Sequence, residues 1–198
     1  IPIFKAKEKT AGEVEMWRSA NAVVSGLLVV SAMLVGLVLV GVSAVLAWGN
    51  LEGNTRLMLG LLRWMFPYMG FVCVAAVAMG MLNARGHFFV PALAPALLNV
   101  ILIVAVLGFA PMIEGGLKEK IFALAIAVLA AGVVQLLYQL PLLKREGFLW
   151  RWVSPWQNDT VREVMRKLAP AAIGAAAFQI NVLATQCLGF WEGGHVVA

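Results

Sequence analysis

Five long stretches without a charged residue constrain this chain more than any other feature. They cover residues 19–51, 64–84, 86–113, 121–143 and 168–191, or 33, 21, 28, 23 and 24 residues. About 20 apolar residues in a helix are enough to cross the roughly 30 Å hydrocarbon core of a bilayer. The composition is 62% hydrophobic and 13% charged, whereas about a quarter of the residues in soluble domains are charged. The sequence therefore predicts an all-α integral membrane protein with five transmembrane helices.

We expect the membrane spans at about residues 19–48, 57–83, 88–111, 121–143 and 168–191. The first uncharged stretch is too long for one perpendicular span, so its helix should tilt or project beyond the bilayer. Gly- and Asn-rich residues near 48–56, and residues 111–120, predict loops on one side of the membrane. Residues 144–167 predict an amphipathic connector on the other side. Within the connector, Thr160 and Glu163 have the spacing of a capping box at a helix start.

The distribution of basic residues predicts the orientation. If the N-terminus is cytoplasmic, 11 of the 15 Lys and Arg residues lie on the cytoplasmic side. Cytoplasmic loops carry an excess of basic residues, so this orientation is favoured, with the C-terminal end outside. Tryptophans interleave with the basic residues of 144–167, which could suggest a nucleic-acid surface. Between two spans, a surface element lying at the lipid headgroups is the simpler interpretation, and no nucleic-acid partner is expected.

Prolines and small residues predict where the spans depart from regular helix packing. A proline inside a helix removes a backbone donor, and in lipid the freed carbonyl must find another partner. The small residues Ala76, Gly80 and Ala84 recur at every fourth position, which allows close helix approach. The residues expected to shape the helices are Pro67, Asn83, Pro91, Pro95, Pro141 and Pro170.

Polar side chains at depth are the candidates for a substrate cavity. An unpaired amide in hydrocarbon is costly, so each must pair or face water. Arg63 either snorkels to the outer interface or faces an anionic headgroup, and Asn99 either joins helices or lines a cavity. Gln135 and Gln139 share one helix face, and they too either join helices or line a cavity. The predicted cavity set is Arg63, Asn99, Gln135, Gln139 and Gln179.

The sequence offers no recognisable place for enzymatic chemistry. It contains no Gly-rich phosphate loop, nucleophile elbow or pair of intramembrane carboxylates, and no His/Cys spacing typical of a metal site. His87 and His195 are expected as solvated side chains at loop ends, and Cys73 and Cys187 as buried thiols. We therefore expect no catalysis, cofactor or metal. Proline-interrupted helices with amides at depth are typical of a transporter cavity.

Several motifs resemble one family. FPY at 66–68, LN at 82–83 and FxxPAxxPxxxN at 88–99 resemble the fourth and fifth helices of the MurJ/MviN lipid II flippases. IPIF at 1–4 is similar to the end of the family's second helix, and QxxxQxPxLxxxG at 135–147 to the end of its sixth. These flippases belong to the multidrug/oligosaccharidyl-lipid/polysaccharide exporter (MOP) superfamily. The resemblance covers essentially the whole chain.

The resemblance implies a two-lobe, fourteen-helix transporter, of which this chain is an internal piece covering helices three to seven of the N-terminal lobe. Such proteins carry lipid II, an undecaprenyl-pyrophosphate-linked peptidoglycan precursor, from the inner to the outer leaflet of the bacterial cytoplasmic membrane by alternating access. Lipid II and membrane lipids would be the partners of a protein that is monomeric at full length.

The family's essential charged residues on helices one, two and eight have no counterpart here. Thr185 stands where some members have an acidic sodium ligand. The alternatives are an O-antigen type polysaccharide-unit flippase of the same superfamily, part of a membrane-embedded polyprenyl-phosphate glycosyltransferase, or a structural subunit.

Overall fold

The computed structural model describes residues 2–156 and 158–191, with side chains from 12 to 186 apart from 157. This part consists of helices joined by short loops, and it contains no strand. The six α-helices of the described part are α1 (Pro2–Trp48), α2 (Gly53–Met65), α3 (Tyr68–Ala84), α4 (Phe89–Val104), α5 (Leu117–Arg145) and α6 (Asp159–Trp191). The backbone of α1 leaves helical geometry at Gly12, where φ is 82°. His195, expected as a solvated side chain, and the Cys187 side chain lie outside the described part.

Five stretches of the described residues are long and apolar enough to cross a membrane. They are Gly12–Trp48, Gly53–Ala84, Phe89–Met112, Leu117–Arg145 and Asp159–Gln186. This confirms the prediction of an all-α, multi-pass membrane protein with five spans. The third stretch ends in a π-helical turn, Ala105–Phe109, followed by a short 3₁₀ turn.

Pro67 divides the second span into two helices. The backbone N–H of Phe66 still bonds to Leu62, but Pro67 has no N–H for the carbonyl of Arg63 four residues earlier. Helix α2 therefore ends at Met65, and α3 begins at Tyr68.

The other expected helix-shaping residues lie within helices. Pro91 is in the first turn of α4, where a proline is tolerated. Pro95, Pro141 and Pro170 lie inside α4, α5 and α6 respectively. Each of these three removes one intrahelical hydrogen bond without ending its helix. Asn83 is in the last turn of α3, and its carbonyl accepts a hydrogen bond from the N–H of Gly86.

Helix α5 is the centre of the bundle, packing against α2, α3 and α4, while α1 packs against α3 and α6. The contact between α3 and α5 uses small side chains because lipid gives apolar helices no net hydrophobic reason to associate, and close approach must supply the energy instead. Gly132 shows how close the two helices come. A Cβ atom there would lie 2.7 Å from Cδ2 of Tyr68. The buried small residues at or near this contact include Ala75, Ala78, Ala131 and Gly132.

The stripe of Ala76, Gly80 and Ala84 does not make the predicted close approach within the described residues. Ala76 is exposed, and no atom lies within 4 Å of where a Cβ on Gly80 would be. The buried face of α3 is the adjacent one, which carries Ala75 and Ala78. Spacing alone identified a small-residue stripe, but it could not identify which face of α3 meets α5.

The start of α6 also differs from the sequence expectation. Helix α6 begins at Asp159, and the side chain of Asn158 accepts a hydrogen bond from the N–H of Thr160 at 2.9 Å. Asn158 is therefore the capping residue, and the predicted capping box of Thr160 with Glu163 is wrong. Asn158 lies two residues before Thr160, and asparagine is one of the residues that most favour the N-cap position. Glu163 instead pairs with Lys167, 2.7 Å away.

The close approach at Gly132 predicts that even a small side chain is harmful there. In Gly132→Ala, the new methyl group would collide with Tyr68 and push α3 away from α5, at a cost of roughly 1–3 kcal/mol. Thermal unfolding of the purified protein in detergent measures this loss. Gly70→Ala is the matched control, because a Cβ there would meet no atom within 4 Å. The control should gain up to about 1 kcal/mol from helix propensity, and equal melting temperatures for the two variants would contradict the proposed packing.

Candidate functional site

Two of the predicted cavity residues lie together inside the helix packing. Gln135 and Gln139 are buried in α5, with 5% and 0% of their surface exposed. The side-chain Nε2 of Gln139 donates to the backbone carbonyl of Gln135 at 3.1 Å. Its Oε1 is buried and accepts no hydrogen bond from the described residues. This oxygen is therefore a buried acceptor for which the described residues supply no donor.

The other predicted cavity residues lie on three separate helices. Arg63 is exposed on α2, Asn99 on α4 and Gln179 on α6. No hydrogen bond among the described residues joins them to each other or to the Gln135 and Gln139 pair. Their common surface therefore stays a prediction for the intact protein. On α6, Thr185 donates its hydroxyl to the carbonyl of Asn181 at 2.9 Å, so its proton is used within its own helix.

The structure reveals a second polar site that begins with two helix ends. Helices α3 and α5 run in the same direction, and each ends in a Schellman motif, in which a glycine of positive φ closes the last turn. In α3 the glycine is Gly86, with φ 89°, and in α5 it is Gly147, with φ 90°. The same pair of backbone hydrogen bonds forms at both ends. Arg85 and Glu146, the residues just before these glycines, are thereby placed side by side.

An ion cluster of Glu13, Arg85, His87 and Glu146 occupies this end of the bundle, and we call it the end cluster. Arg85 donates to Glu146 at 3.0 Å and to Glu13 at 2.6 Å. His87 Nε2 donates to the other oxygen of Glu146 at 2.7 Å. The end cluster joins α1, the turn between α3 and α4, and the end of α5.

The hydrogen bonds of the end cluster act on the charge of Glu146. Partial removal of the carboxylate from water disfavours its charge. The hydrogen bond from His87 and then that from Arg85 more than offset this, and they hold the pKa of Glu146 below its ordinary value of 4.5. Glu146 is therefore an anion at neutral pH, and it ties two cationic or donor groups together.

Trp17 packs against the end cluster from α1. The guanidinium carbon of Arg85 lies 5.6 Å from the centre of the Trp17 ring, which is a cation–π distance. The indole also meets the ring of Phe148, with centroids 5.6 Å apart. Trp17 thus connects the charged cluster to the apolar core that contains Leu82, Leu143 and Phe148.

Sequence reasoning missed this cluster. It interpreted His87 as solvated, yet His87 is only half-exposed and bonded to Glu146. The available signal was the pairing of a charged residue with a glycine at 85–86 and again at 146–147, which marks two helix ends of the same kind. That signal predicts the caps but not the contact between them.

Comparison with known proteins identifies the family. A family model described as MurJ, lipid II flippase MurJ, matches residues 1–191. The chain belongs to the MurJ family.

Individual MurJ relatives agree with this assignment. The chain is 32% identical over 196 residues to a probable lipid II flippase MurJ of Vibrio cholerae, covering 92% of this chain and 36% of the relative. It is 36% identical over 125 residues to the lipid II flippase MurJ of Burkholderia cenocepacia, covering 61% of this chain and 23% of the relative. A probable lipid II flippase MurJ of Bdellovibrio bacteriovorus is 38% identical to the chain over 128 residues, which cover 65% of this chain and 24% of the relative. The chain thus spans little more than a third, at most, of the length of these relatives.

The lowered pKa of Glu146 predicts an acid-sensitive contribution to stability. A carboxyl group whose pKa is depressed in the folded state stabilises the protein fully above its ordinary pKa, and this contribution is lost as the pH falls through the lower folded-state value. Glu146→Gln has no such titration. Melting temperatures measured from pH 7 downward should therefore converge for the parent and Glu146→Gln as the pH falls below about 4.5.

Glu52→Gln is the control for this titration, because Glu52 is exposed and has no ion pair in the described part of the chain. At pH 7 its melting temperature should lie closer to that of the parent than the melting temperature of Glu146→Gln does. If the gap between the parent and Glu146→Gln stayed constant over the same range, the ionised carboxylate would not be what stabilises the end cluster.

Proposed function

We propose that the intact protein translocates lipid II from the inner to the outer leaflet of the bacterial cytoplasmic membrane by alternating access. The observation that carries the proposal is the MurJ family match over residues 1–191. Five stretches of the described residues that are long and apolar enough to cross a membrane are consistent with a transporter of this family. On this proposal the chain forms helices three to seven in the N-terminal lobe of a monomeric, two-lobe, fourteen-helix protein.

The chemistry of lipid II sets what such a protein must supply. Moving a pyrophosphate bare across the centre of the bilayer would cost at least several kcal/mol for each charge. A cavity with polar groups avoids this cost, while the polyprenyl tail can remain among the surrounding lipids. Arg63, Asn99 and Gln179 are exposed on three helices and are proposed to face that cavity in the intact protein. Gln135 and Gln139 are buried between the described helices, and we propose that they would border the cavity only if these helices separate during transport.

The related alternatives are less well supported. An O-antigen type flippase would share the architecture, and a polyprenyl-phosphate glycosyltransferase would use a similar lipid. The relatives found by comparison are named as lipid II flippases, which favours lipid II over other lipid-linked glycans. We therefore propose no enzyme activity, cofactor or metal for the protein.

The end cluster supports one orientation. It brings Glu13, Arg85 and Glu146 together, so the start of the first span, the turn after α3 and the end of α5 share one end of the bundle. The chain segments at this end include most of the basic residues, and we propose that it is cytoplasmic. Residues 144–167 then form a connector at the inner headgroups, where Trp150 and Trp152 are exposed.

The orientation predicts which positions can be labelled from outside the cell. With every native cysteine of the full-length protein replaced by alanine, Gly53→Cys and Gly115→Cys should react with a membrane-impermeant maleimide in intact cells. Gly53 is the exposed first residue of α2, and Gly115 is exposed in the loop before α5, both at the proposed outer end. Ser154→Cys, in the connector, should react only after permeabilisation. Labelling of Ser154→Cys in intact cells would contradict the proposed topology.

The function predicts a specific lipid phenotype. Depletion of the full-length protein should leave lipid II synthesis intact but trap the product in the inner leaflet. The fraction of lipid II accessible to an externally added, impermeant lipid II-binding probe should fall severalfold, while total lipid II rises. A strain that makes the protein from a plasmid is the control. Normal external exposure of lipid II after depletion, in a strain without another flippase, would rule out the proposed function.

A further inference from the structure

A short extended segment lies along α1 between the end of α5 and the start of α6. We call residues 148–156 the strap. At its beginning, buried Phe148 packs on Trp17 of α1. Near its end, buried Pro155 fits against Gly26, where a Cβ atom would lie 3.1 Å from the Cβ of Pro155. Both ends of the strap are thus fitted to α1.

Between these ends, two polar side chains of α1 bond to the backbone of the strap. The amide of Asn21 donates through Nδ2 to the carbonyl of Leu149 and accepts through Oδ1 from the N–H of Arg151, both at 3.0 Å. One helical turn later, Ser25 Oγ accepts from the N–H of Val153 at 3.3 Å. Residues 149, 151 and 153 present their polar backbone groups on one edge, as alternate residues of a strand do. Asn21 therefore takes the place of a neighbouring strand.

The burial of these side chains makes the contact obligatory. Asn21 is 4% exposed and Ser25 is 0% exposed, although both lie within the first uncharged stretch. A buried amide or hydroxyl group without a partner costs free energy that a hydrogen bond recovers. The strap supplies those partners, and so the side chains of Asn21 and Ser25 keep these hydrogen bonds only while the strap is docked.

The same contact extends to α6. The buried hydroxyl group of Thr160, in the first turn of α6, donates to Ser19 Oγ of α1 at 3.1 Å. From Arg162 to Gln186 most of the side chains of α6 are exposed, and α1 is the main helix against which it packs. The position of α6 in this chain therefore depends mainly on its first turn and on the strap before it.

We propose that Asn21 is a positioning residue for transport, which holds the strap on α1 and so keeps α6 in one placement relative to α1 during the cycle. The proposal rests on the proposed flippase function for its role in transport. The strap contact itself does not depend on the identity of the substrate. The two parts can be tested separately.

The experiment uses the full-length protein with all of its native cysteines replaced, and with spin labels attached at Met33→Cys on α1 and Ile173→Cys on α6. Both positions are exposed in the chain. Pulsed electron–electron double resonance, measured on the protein in nanodiscs, gives the distribution of distances between the two labels. The same variants, without labels, are assayed for lipid II translocation in vesicles.

Three variants are compared with the parent. Asn21→Leu removes two hydrogen bonds and should weaken strap docking by about thirtyfold, while Ser25→Ala removes one and should weaken it by about fivefold. Ser31→Ala is the matched control, because Ser31 lies on the same helix and its hydroxyl group donates to the carbonyl of Leu28, within that helix, at 3.2 Å. Ser31→Ala should leave the distance distribution and the translocation rate close to those of the parent. Ser25→Ala should widen the distribution and lower the rate, and Asn21→Leu should do both to a greater extent.

The outcomes separate the two proposals. An unchanged distance distribution in Asn21→Leu would overturn the positioning role. A widened distribution with a parental translocation rate would show that the placement of α6 is irrelevant to transport and would overturn the proposal as well. If Asn21→Leu does not accumulate in membranes, the comparison of Ser25→Ala with Ser31→Ala decides. A parent protein with a narrow distribution and no lipid II translocation would contradict the flippase function and leave the structural role of the strap intact.

Discussion

The contact between Arg85 and Glu146 is the interaction on which the arrangement of the bundle most depends. Helices α3 and α5 run parallel, so the negative ends of their dipoles lie side by side, and Glu146 adds a further negative charge there. Arg85 places a guanidinium between the two ends, and it also binds Glu13 at the start of the first span. The glycines at 86 and 147 make this possible because each closes its helix with φ near 90°. Without such a cation, the two helix ends would repel each other.

Packing within the membrane follows a different rule. Apolar side chains gain little from association when the surroundings are lipid tails, so the helices must come close enough for dispersion and fit to matter. The contact of Gly132 with Tyr68 shows that α3 and α5 do so. Helix α5, which carries Gly132 as well as the buried glutamines, is central because it offers small or polar residues along its buried face. The end cluster fixes the register of this packing by holding one end of each helix.

The sequence predicted most of the fold because hydropathy and charge are local signals. Five uncharged stretches were enough to predict five spans. Pro67 was expected to shape its helix, but the division of the second span into α2 and α3 at this residue was not predicted. The packing faces could not be predicted in the same way. The Ala76 and Gly80 stripe has the right spacing for close approach, yet the neighbouring face is the one in contact. Which face is buried depends on where α5 lies, and no local pattern contains that information.

The polar sites were predicted less well, for a related physical reason. Arg85 and Glu146 are 61 residues apart, and Asn21 and Leu149 are 128 apart. Each residue has an ordinary local interpretation, as a loop charge or as an isolated polar residue in a span. Only the proximity of the partners makes them a site. The pair of Gln135 and Gln139 was recognised as sharing a face because their separation of four residues is local, but its burial against other helices was not predictable from that spacing.

The side-chain hydrogen bonds that join different segments are concentrated at one end of the described bundle. The end cluster and the contacts of Asn21, Ser25 and Thr160 all lie at the end proposed as cytoplasmic. Towards the opposite end, the described helices are held by apolar packing. In a bilayer, lipid tails can replace an apolar contact at little cost, whereas separating the strap from α1 would leave the buried polar groups of Asn21 and Ser25 without their hydrogen-bond partners. If the protein works by alternating access, the cytoplasmic ends of these helices should therefore move together, and rearrangements within this part of the lobe should occur mainly at the outer end.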